Sequence, residues 1–140
     1  VSPGFFAELR RRGVRHFGIV TGRTRSEWQM GLEMLQTGDV FDCVLTDEDV
    51  RKPDPAALER MVKTFHPTAM FYVGDTKDDL DLVRNYLAKA GPCDPPALSV
   101  IVAPETEWKF WQTLAADILI LAPPDLLEVL DAICQSSFAA

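Results

Sequence analysis

The sequence predicts an α/β fold with a mostly parallel sheet, and two observations lead to this prediction. Short, continuous apolar stretches that are typical of buried strands alternate with longer stretches whose apolar residues recur at helical spacing. Strands that are apolar throughout have both faces covered, as parallel strands do when helical crossovers connect them. A chain of 140 residues has the length of one ordinary domain, so we expect a single domain over residues 1–140.

The first 45 residues predict two helices, each followed by a strand. Ser2 is placed to cap the first helix, and Gly13 is placed to end it. Residues 16–21 then form a strand that halts at a glycine. The second helix runs to about Thr37, and residues 41–45 form the second strand.

The rest of the chain continues the alternation after a polar loop. Asp54 is the expected N-cap of the third helix, with Pro55 at its first position. Residues 70–73 form the third strand. The remaining predicted elements, in chain order, are a helix over residues 77–90, a strand over 98–102, a helix over 105–115, a strand over 117–121 and a helix over 124–134.

Composition and charge exclude several classes of protein. The chain carries 14 Lys and Arg against 21 Asp and Glu, a formal net charge of −7, which disfavours nucleic acid and anionic membranes as partners. Its apolar stretches are too short to cross a bilayer. The three cysteines and two histidines lie far apart and predict neither disulfides nor a zinc site, so we expect a reducing, cytoplasmic location. Because Val1 stands where an initiator methionine would, we expect a piece of a longer polypeptide.

Three polar clusters follow predicted strands, where ligands bind in parallel α/β sheets. Residues 21–24 (Thr-Gly-Arg-Thr) bring a hydroxyl and backbone N–H groups to a helix start, which suits an anion; the alternative is a simple turn with Thr24 as N-cap. Residues 52–55 (Lys-Pro-Asp-Pro) place Lys52 in a stiffened loop, where its ammonium can neutralise phosphate oxygens. The alternative there is an ordinary helix start with Lys52 in water.

The third cluster, residues 74–79 (Gly-Asp-Thr-Lys-Asp-Asp), concentrates carboxylates at a strand end. Close carboxylates repel one another unless a cation offsets them, and Mg²⁺ takes such oxygen ligands. The alternative is that Asp78 and Asp79 complement the helix N-terminus while Asp75 completes a turn. A hydroxyl, a lysine and an acidic cation site together predict a site that holds a phosphoryl group against Mg²⁺.

In order, these clusters resemble the second, third and fourth motifs of the haloacid dehalogenase superfamily, in particular its phosphatase-like members of subfamily I with a helical cap. The resemblance implies a Rossmann-like three-layer α/β/α core and Mg²⁺ as cofactor. The site residues that it implies are Thr21, Lys52 and Asp75 as catalytic, Thr21, Gly22, Arg23 and Lys52 as phosphate-binding, and Asp75 and Asp79 at the metal. It leaves open whether Asp78 or Asp79 is the second acidic ligand, and solvent exposure is the competing interpretation of Arg23.

The superfamily's first motif, Asp-x-Asp-x-Thr/Val on an apolar strand, has no match in the chain. In the superfamily that motif supplies the aspartate nucleophile and the general acid/base. The segment that bears it also holds the central strand of the sheet and the cap that selects the substrate. Residues 47–49 (Asp-Glu-Asp) have a similar spacing, but they lack the Thr/Val and do not follow the opening strand.

The resemblance therefore implies the C-terminal core portion of a Mg²⁺-dependent phosphohydrolase that acts on a small phosphorylated metabolite, a phosphomonoester, through an aspartyl-phosphate. A missing N-terminal segment or a partner chain would supply the nucleophile strand, and we expect these 140 residues to be inactive alone. Two alternatives stay open. One is a non-catalytic phosphate- and cation-binding or regulatory module, and the other is a split enzyme completed by another chain.

Overall fold

The computed structural model describes residues 2–35 and 40–139, and these form helices and strands in alternation, as predicted. The helices are α1 (Pro3–Arg11), α2 (Arg25–Leu35), α3 (Ala56–Phe65), α4 (Lys77–Lys89), α5 (Glu105–Thr113) and α6 (Leu126–Ala139). The strands are β1 (Gly18–Val20), β2 (Cys43–Leu45), β3 (Met70–Gly74), β4 (Ala97–Val102) and β5 (Ile118–Ile120). None of the described helices is long and apolar enough to cross a membrane.

Some boundaries differ from the prediction. Helix α3 begins at Ala56 rather than Pro55, although Asp54 still acts as a cap because its Oδ1 accepts the N–H of Ala56 at 2.9 Å. Helix α6 follows a short 3₁₀ turn and continues past Cys134, since neither glycine nor proline follows there to stop it. The predicted end of α2 near Thr37 lies outside the described residues.

The strands pair in parallel, as predicted, but they form two sheets rather than one. Strand β1 pairs with β2, and β3, β4 and β5 form a second sheet in that order. Among the described residues β1 and β3 do not pair with each other, so each leaves one edge without a strand partner. This division agrees with a missing central strand, which the resemblance to the superfamily implied.

Helices cover both faces of the strands, which confirms the predicted three-layer α/β/α arrangement. On one face, Leu9 of α1 and Leu130 of α6 pack with Val100 and Ile120 of the strands. On the other face, α3 and α4 pack against β2 and β4 in a cluster of buried residues from all four elements: Leu45, Ala57, Leu58, Met61, Leu82, Val83, Tyr86 and Ala97. Burying this apolar surface orders the strands, and their carboxyl ends carry the loops of interest.

Candidate functional site

The carboxylate of Asp79 lies at the centre of the loops that follow β2 and β3, and the residue is only 3% exposed. Its Oδ1 accepts hydrogen bonds from Lys52 Nζ at 2.8 Å and from the Tyr72 hydroxyl at 3.0 Å. Its Oδ2 accepts the Thr76 hydroxyl at 2.8 Å, the Thr76 N–H at 3.0 Å and the Asp75 N–H at 3.1 Å. Both oxygens of a buried carboxylate are thus satisfied, as burial of a charge requires.

The sequence around Asp79 explains why its side chain turns back toward the strand end. Thr76 is the N-cap of α4 and forms a capping box with Asp79, in which the Thr76 hydroxyl also accepts the N–H of Asp79 at 3.3 Å. Gly74 ends β3, and a Cβ at that position would overlap the Cγ of Asp79. The close approach of strand end and carboxylate therefore requires glycine, which has no side chain.

Burial and hydrogen bonding at this site shift two pKa values in opposite directions. Burial alone would raise the pKa of Asp79, but hydrogen bonds from Lys52 and Thr76 outweigh it and hold that pKa below its ordinary value. Burial, the charge of Asp79 and the hydrogen bond to Asp79 raise the pKa of Tyr72. The Tyr72 phenol therefore stays protonated and donates to an ionised carboxylate.

The lowered pKa of Asp79 predicts that the chain loses stability in acid. The unfolded chain takes up this proton near pH 4 while the folded carboxylate is still ionised, so stability falls as the pH drops below about 4. We expect the urea midpoint to fall between pH 5 and pH 3, and to fall less in Asp79→Asn, which does not titrate there. The pKa of Asp49 is also lowered, but Asp49 contributes equally to the loss of stability of both proteins in acid. Parallel curves for the two proteins would contradict the prediction.

Lys52 reaches Asp79 from a loop that is braced at both ends. At its start, the buried Thr46 donates its N–H and its hydroxyl to Asp49 Oδ2, at 2.9 and 3.0 Å. At its end, Asn85 Nδ2 of α4 donates to the carbonyl oxygen of Pro53 at 3.0 Å. The Lys52 side chain is 19% exposed, so the interpretation that places it in water is wrong. Two of the three ammonium donors have no partner among the described residues.

The loop after β1 carries Thr21, Gly22 and Arg23. The N–H of Thr21 donates to the Leu45 carbonyl oxygen at 2.9 Å, which extends the β1–β2 pairing, and the Thr21 hydroxyl accepts the Arg23 N–H at 3.2 Å. Within the described part of the chain the hydroxyl's own proton meets no acceptor. Gly22 and Arg23 are exposed. Thr24 caps α2 as the alternative held, since its hydroxyl accepts the N–H of Glu27 at 3.3 Å.

The carboxylates available to a cation are those of Asp75 and Asp78, which are exposed. No hydrogen bond or ion pair to the Asp75 carboxylate is formed by residues that the structure describes. Among the same residues, no group of three or more His, Cys, Asp or Glu side chains could hold a metal ion. The donors fit Mg²⁺ in part, because that ion binds through one or two carboxylates and keeps several waters. The contacts of Asp79 favour a supporting role over direct ligation.

The sequence interpretation missed Tyr72 and the capping role of Thr76. A tyrosine within the apolar run of β3 was the available signal, because a buried phenol needs a hydrogen-bond partner. The Thr76-x-x-Asp79 spacing resembles the Ser/Thr-x-x-Glu capping box, with the shorter acid in place of Glu. Residues 47–49 are engaged within the protein, Asp47 with Arg51 and Asp49 with Arg25.

Comparisons with known proteins identify a matching family and relatives of similar sequence. The sequence model of the haloacid dehalogenase-like hydrolases matches residues 4–89. Pyrophosphatase PpaX of Bacillus cereus is 35% identical over 77 residues, which cover 52% of this chain and 35% of that protein. Pyrophosphatase PpaX of Bacillus anthracis is 34% identical with the same coverage. The chain therefore spans 35% of the length of these curated relatives.

Two solved structures have a similar fold. A haloacid dehalogenase-like protein of Bacteroides fragilis matches with a TM-score of 0.68 at 21% identity, over 88% of this chain and 56% of that chain. A subfamily IA, variant 1 hydrolase of the haloacid dehalogenase superfamily from Geobacter sulfurreducens matches with a TM-score of 0.62 at 21% identity, over 91% and 54%. At this identity the likeness shows the fold, and it confirms the predicted Rossmann-like α/β class.

Proposed function

Since the chain belongs to the haloacid dehalogenase-like hydrolase family, we propose that it is the phosphate-binding core portion of a Mg²⁺-dependent phosphohydrolase. The observation that carries the proposal is the Lys52 ammonium, held at 2.8 Å on the buried Asp79 with two donors free among the described residues. A fixed cation at a strand end stabilises charge that develops on a transferring phosphoryl group. The reaction is hydrolysis of a small phosphorylated metabolite by way of an aspartyl-phosphate on a nucleophile outside this chain.

The proposed site residues divide between binding the phosphate, holding the metal ion and fixing Lys52. Thr21 donates its hydroxyl proton to a phosphate oxygen, beside the N–H groups of Gly22 and Arg23. Lys52 neutralises the phosphate with its free donors. Asp75 holds Mg²⁺ together with ligands from outside the chain, and the ion supplies charge neutralisation at the phosphoryl oxygens. Asp79 supports the site by fixing Lys52.

The strand that bears the nucleophile belongs, in this proposal, between β1 and β3. Each of these strands has one edge that pairs with no strand among the described residues. The residues of β3 are half-buried or exposed, whereas four of the six in β4 are buried. A parallel strand placed there would join the two sheets and bring its carboxyl end beside Thr21 and Asp75. Its source is an N-terminal segment of the same polypeptide or another chain.

The substrate class follows from the family and from one relative. We propose a phosphomonoester as the primary substrate, and the pyrophosphatase name of PpaX makes inorganic pyrophosphate the second substrate to assay. The acidic charge of the chain supports neither nucleic acid nor an anionic membrane as a partner. The proposed location is the cytoplasm.

We expect the 140-residue chain alone to show no Mg²⁺-dependent release of phosphate from a generic phosphomonoester or from pyrophosphate. The reason is that the carboxylates described near Lys52 are either exposed or hydrogen-bonded within the protein. In addition, the first motif has no match in the sequence. Release of inorganic phosphate with and without Mg²⁺ is the measurement. Turnover that Asp75→Asn abolishes would place a nucleophile within these residues and overturn this part of the proposal.

A complementation assay tests the rest of the proposal. The chain is mixed with a polypeptide that carries an Asp-x-Asp-x-Thr/Val strand from a family member, and phosphate release is measured. Turnover that appears only in the mixture, and is lost with Lys52→Ala while circular dichroism shows that this variant stays folded, supports the enzyme. Binding of inorganic phosphate to the chain, without turnover in any mixture, supports the non-catalytic binding module instead.

A further inference from the structure

We propose that Tyr72 is a positioning residue for Lys52, because its hydroxyl holds the Asp79 oxygen that the Lys52 ammonium contacts. The inference deepens the proposed function and rests on it, since the position of Lys52 matters to catalysis only if Lys52 binds the phosphoryl group. Among the residues that the structure describes, the Tyr72 hydroxyl hydrogen-bonds Asp79 and no other residue, so Tyr72 acts through Asp79.

The two oxygens of Asp79 are held by different parts of the structure. The turn at the start of α4 holds Oδ2 through Thr76 and the backbone of Asp75. Lys52 and Tyr72 share Oδ1, at 2.8 and 3.0 Å. Among the described residues, the Tyr72 hydroxyl is therefore the second donor on the oxygen that the ammonium contacts, and it helps to fix the orientation of that oxygen.

Tyr72 is suited to this role because it is the more rigid of the two donors. Its backbone pairs with Ser99 in the middle of the β3–β4 ladder, and its side chain packs against the core formed by α3 and α4. A tyrosine side chain has two torsions before its hydroxyl, whereas a lysine has a flexible four-carbon stem. The phenol is thus the reference point, and the ammonium adapts to it.

The shared oxygen also affects how tightly Asp79 holds the ammonium. A carboxylate oxygen that accepts two hydrogen bonds divides its negative charge between them, so the Tyr72 hydroxyl weakens the attraction of Oδ1 for the ammonium. Without the hydroxyl, the ammonium can approach Oδ1 more closely. The ammonium is then held by Asp79 more tightly and is less available to phosphate oxygens.

Competitive acylation of lysines in the full chain tests this inference without any turnover. The chain and Tyr72→Phe are treated with a trace amine-acylating reagent, and labelling of Lys52 relative to the exposed Lys109 is measured by peptide mass spectrometry. We expect relative labelling of Lys52 to fall about threefold or more in Tyr72→Phe, on the scale of one lost hydrogen bond. The matched control is Tyr86→Phe, which removes the hydroxyl of another inward-facing tyrosine, bonded to the Pro95 carbonyl oxygen at 2.8 Å, and should leave Lys52 unchanged.

Unchanged labelling of Lys52 in Tyr72→Phe, or an equal change in Tyr86→Phe, overturns the inference. If Tyr72→Phe does not fold, as judged by circular dichroism, 3-fluorotyrosine at position 72 gives the same test. Its more acidic phenol donates more strongly, so labelling of Lys52 should rise. A fall in labelling in Tyr72→Phe together with failure of every complementation assay supports the positioning by Tyr72 and refutes the hydrolase. Turnover in complementation with unchanged labelling refutes only the role of Tyr72.

Discussion

Replacing Asp79 by asparagine should lower the free energy of unfolding by about 3 kcal/mol, because removing one partner of a buried ion pair leaves the other charge uncompensated. Asp79 is 3% exposed, and both of its oxygens face N–H, O–H or ammonium groups that donate hydrogen bonds to them. An asparagine must turn its NH₂ group either toward Lys52 and Tyr72 or toward the N–H groups at the start of α4. In both orientations donor faces donor, and the charge that neutralised Lys52 is gone.

Asp78→Asn is the matched control for this substitution. Asp78 precedes Asp79 in the first turn of α4 but is exposed, so it contributes only the interaction of a carboxylate with the helix N-terminus, about 0.3–1 kcal/mol. Urea unfolding of both variants at pH 7 gives the comparison. Equal losses would mean that Asp79 acts as an ordinary helix-terminal charge, and the central place given to its carboxylate would be wrong.

The sequence predicted the parts of this site that depend on local signals. The order of elements follows from apolar periodicity with glycine and proline boundaries, and the three polar clusters follow strands because loops begin where the apolar runs stop. Thr21, Lys52 and Asp75 therefore stood out without any knowledge of contacts. The same local signals could not show that the parallel strands would separate into two sheets, because strand pairing depends on contacts between residues far apart in the sequence.

The contacts of Asp79 could not be read from spacing. Asp79 lies 27 residues from Lys52. Neither cluster indicates that the ammonium would contact this carboxylate rather than that of Asp75 or Asp78. The interpretation of Asp79 as part of the metal site and its alternative at the helix N-terminus were both compatible with the sequence. The structure favours the second through the capping box with Thr76, and it adds the ion pair to Lys52.

This ion pair also changes what Lys52 is expected to do. A lysine whose contacts were all to ligand would be dispensable for folding. Because Lys52 neutralises a buried carboxylate, its removal affects both the fold at the strand end and any reaction there. Activity of a Lys52 variant is therefore interpretable only beside its stability.

Gly74→Ala should also cost about 3 kcal/mol, at the upper end of what overpacking a tight site costs. The φ angle of Gly74 lies outside the left-handed region, so the requirement for glycine is steric rather than conformational. The new methyl would overlap the Cγ and Cβ of Asp79 and lie against Oδ2, so either β3 or the carboxylate must move. Movement of the carboxylate would break its bonds to the N–H groups of Asp75 and Thr76.

Gly22→Ala is the matched control, since Gly22 also follows a strand but a Cβ there meets no atom within 4 Å. We expect its unfolding free energy to stay within about 0.5 kcal/mol of the parent. A second comparison isolates the cause. If overlap with Asp79 is responsible, Gly74→Ala should cost less in an Asp79→Gly background, where Cβ, Cγ and Oδ2 are all absent, so the two losses should be less than additive. Additive losses in urea unfolding would assign the effect of Gly74→Ala to the strand backbone. They would also show that close packing of Asp79 against position 74 does not cause the loss.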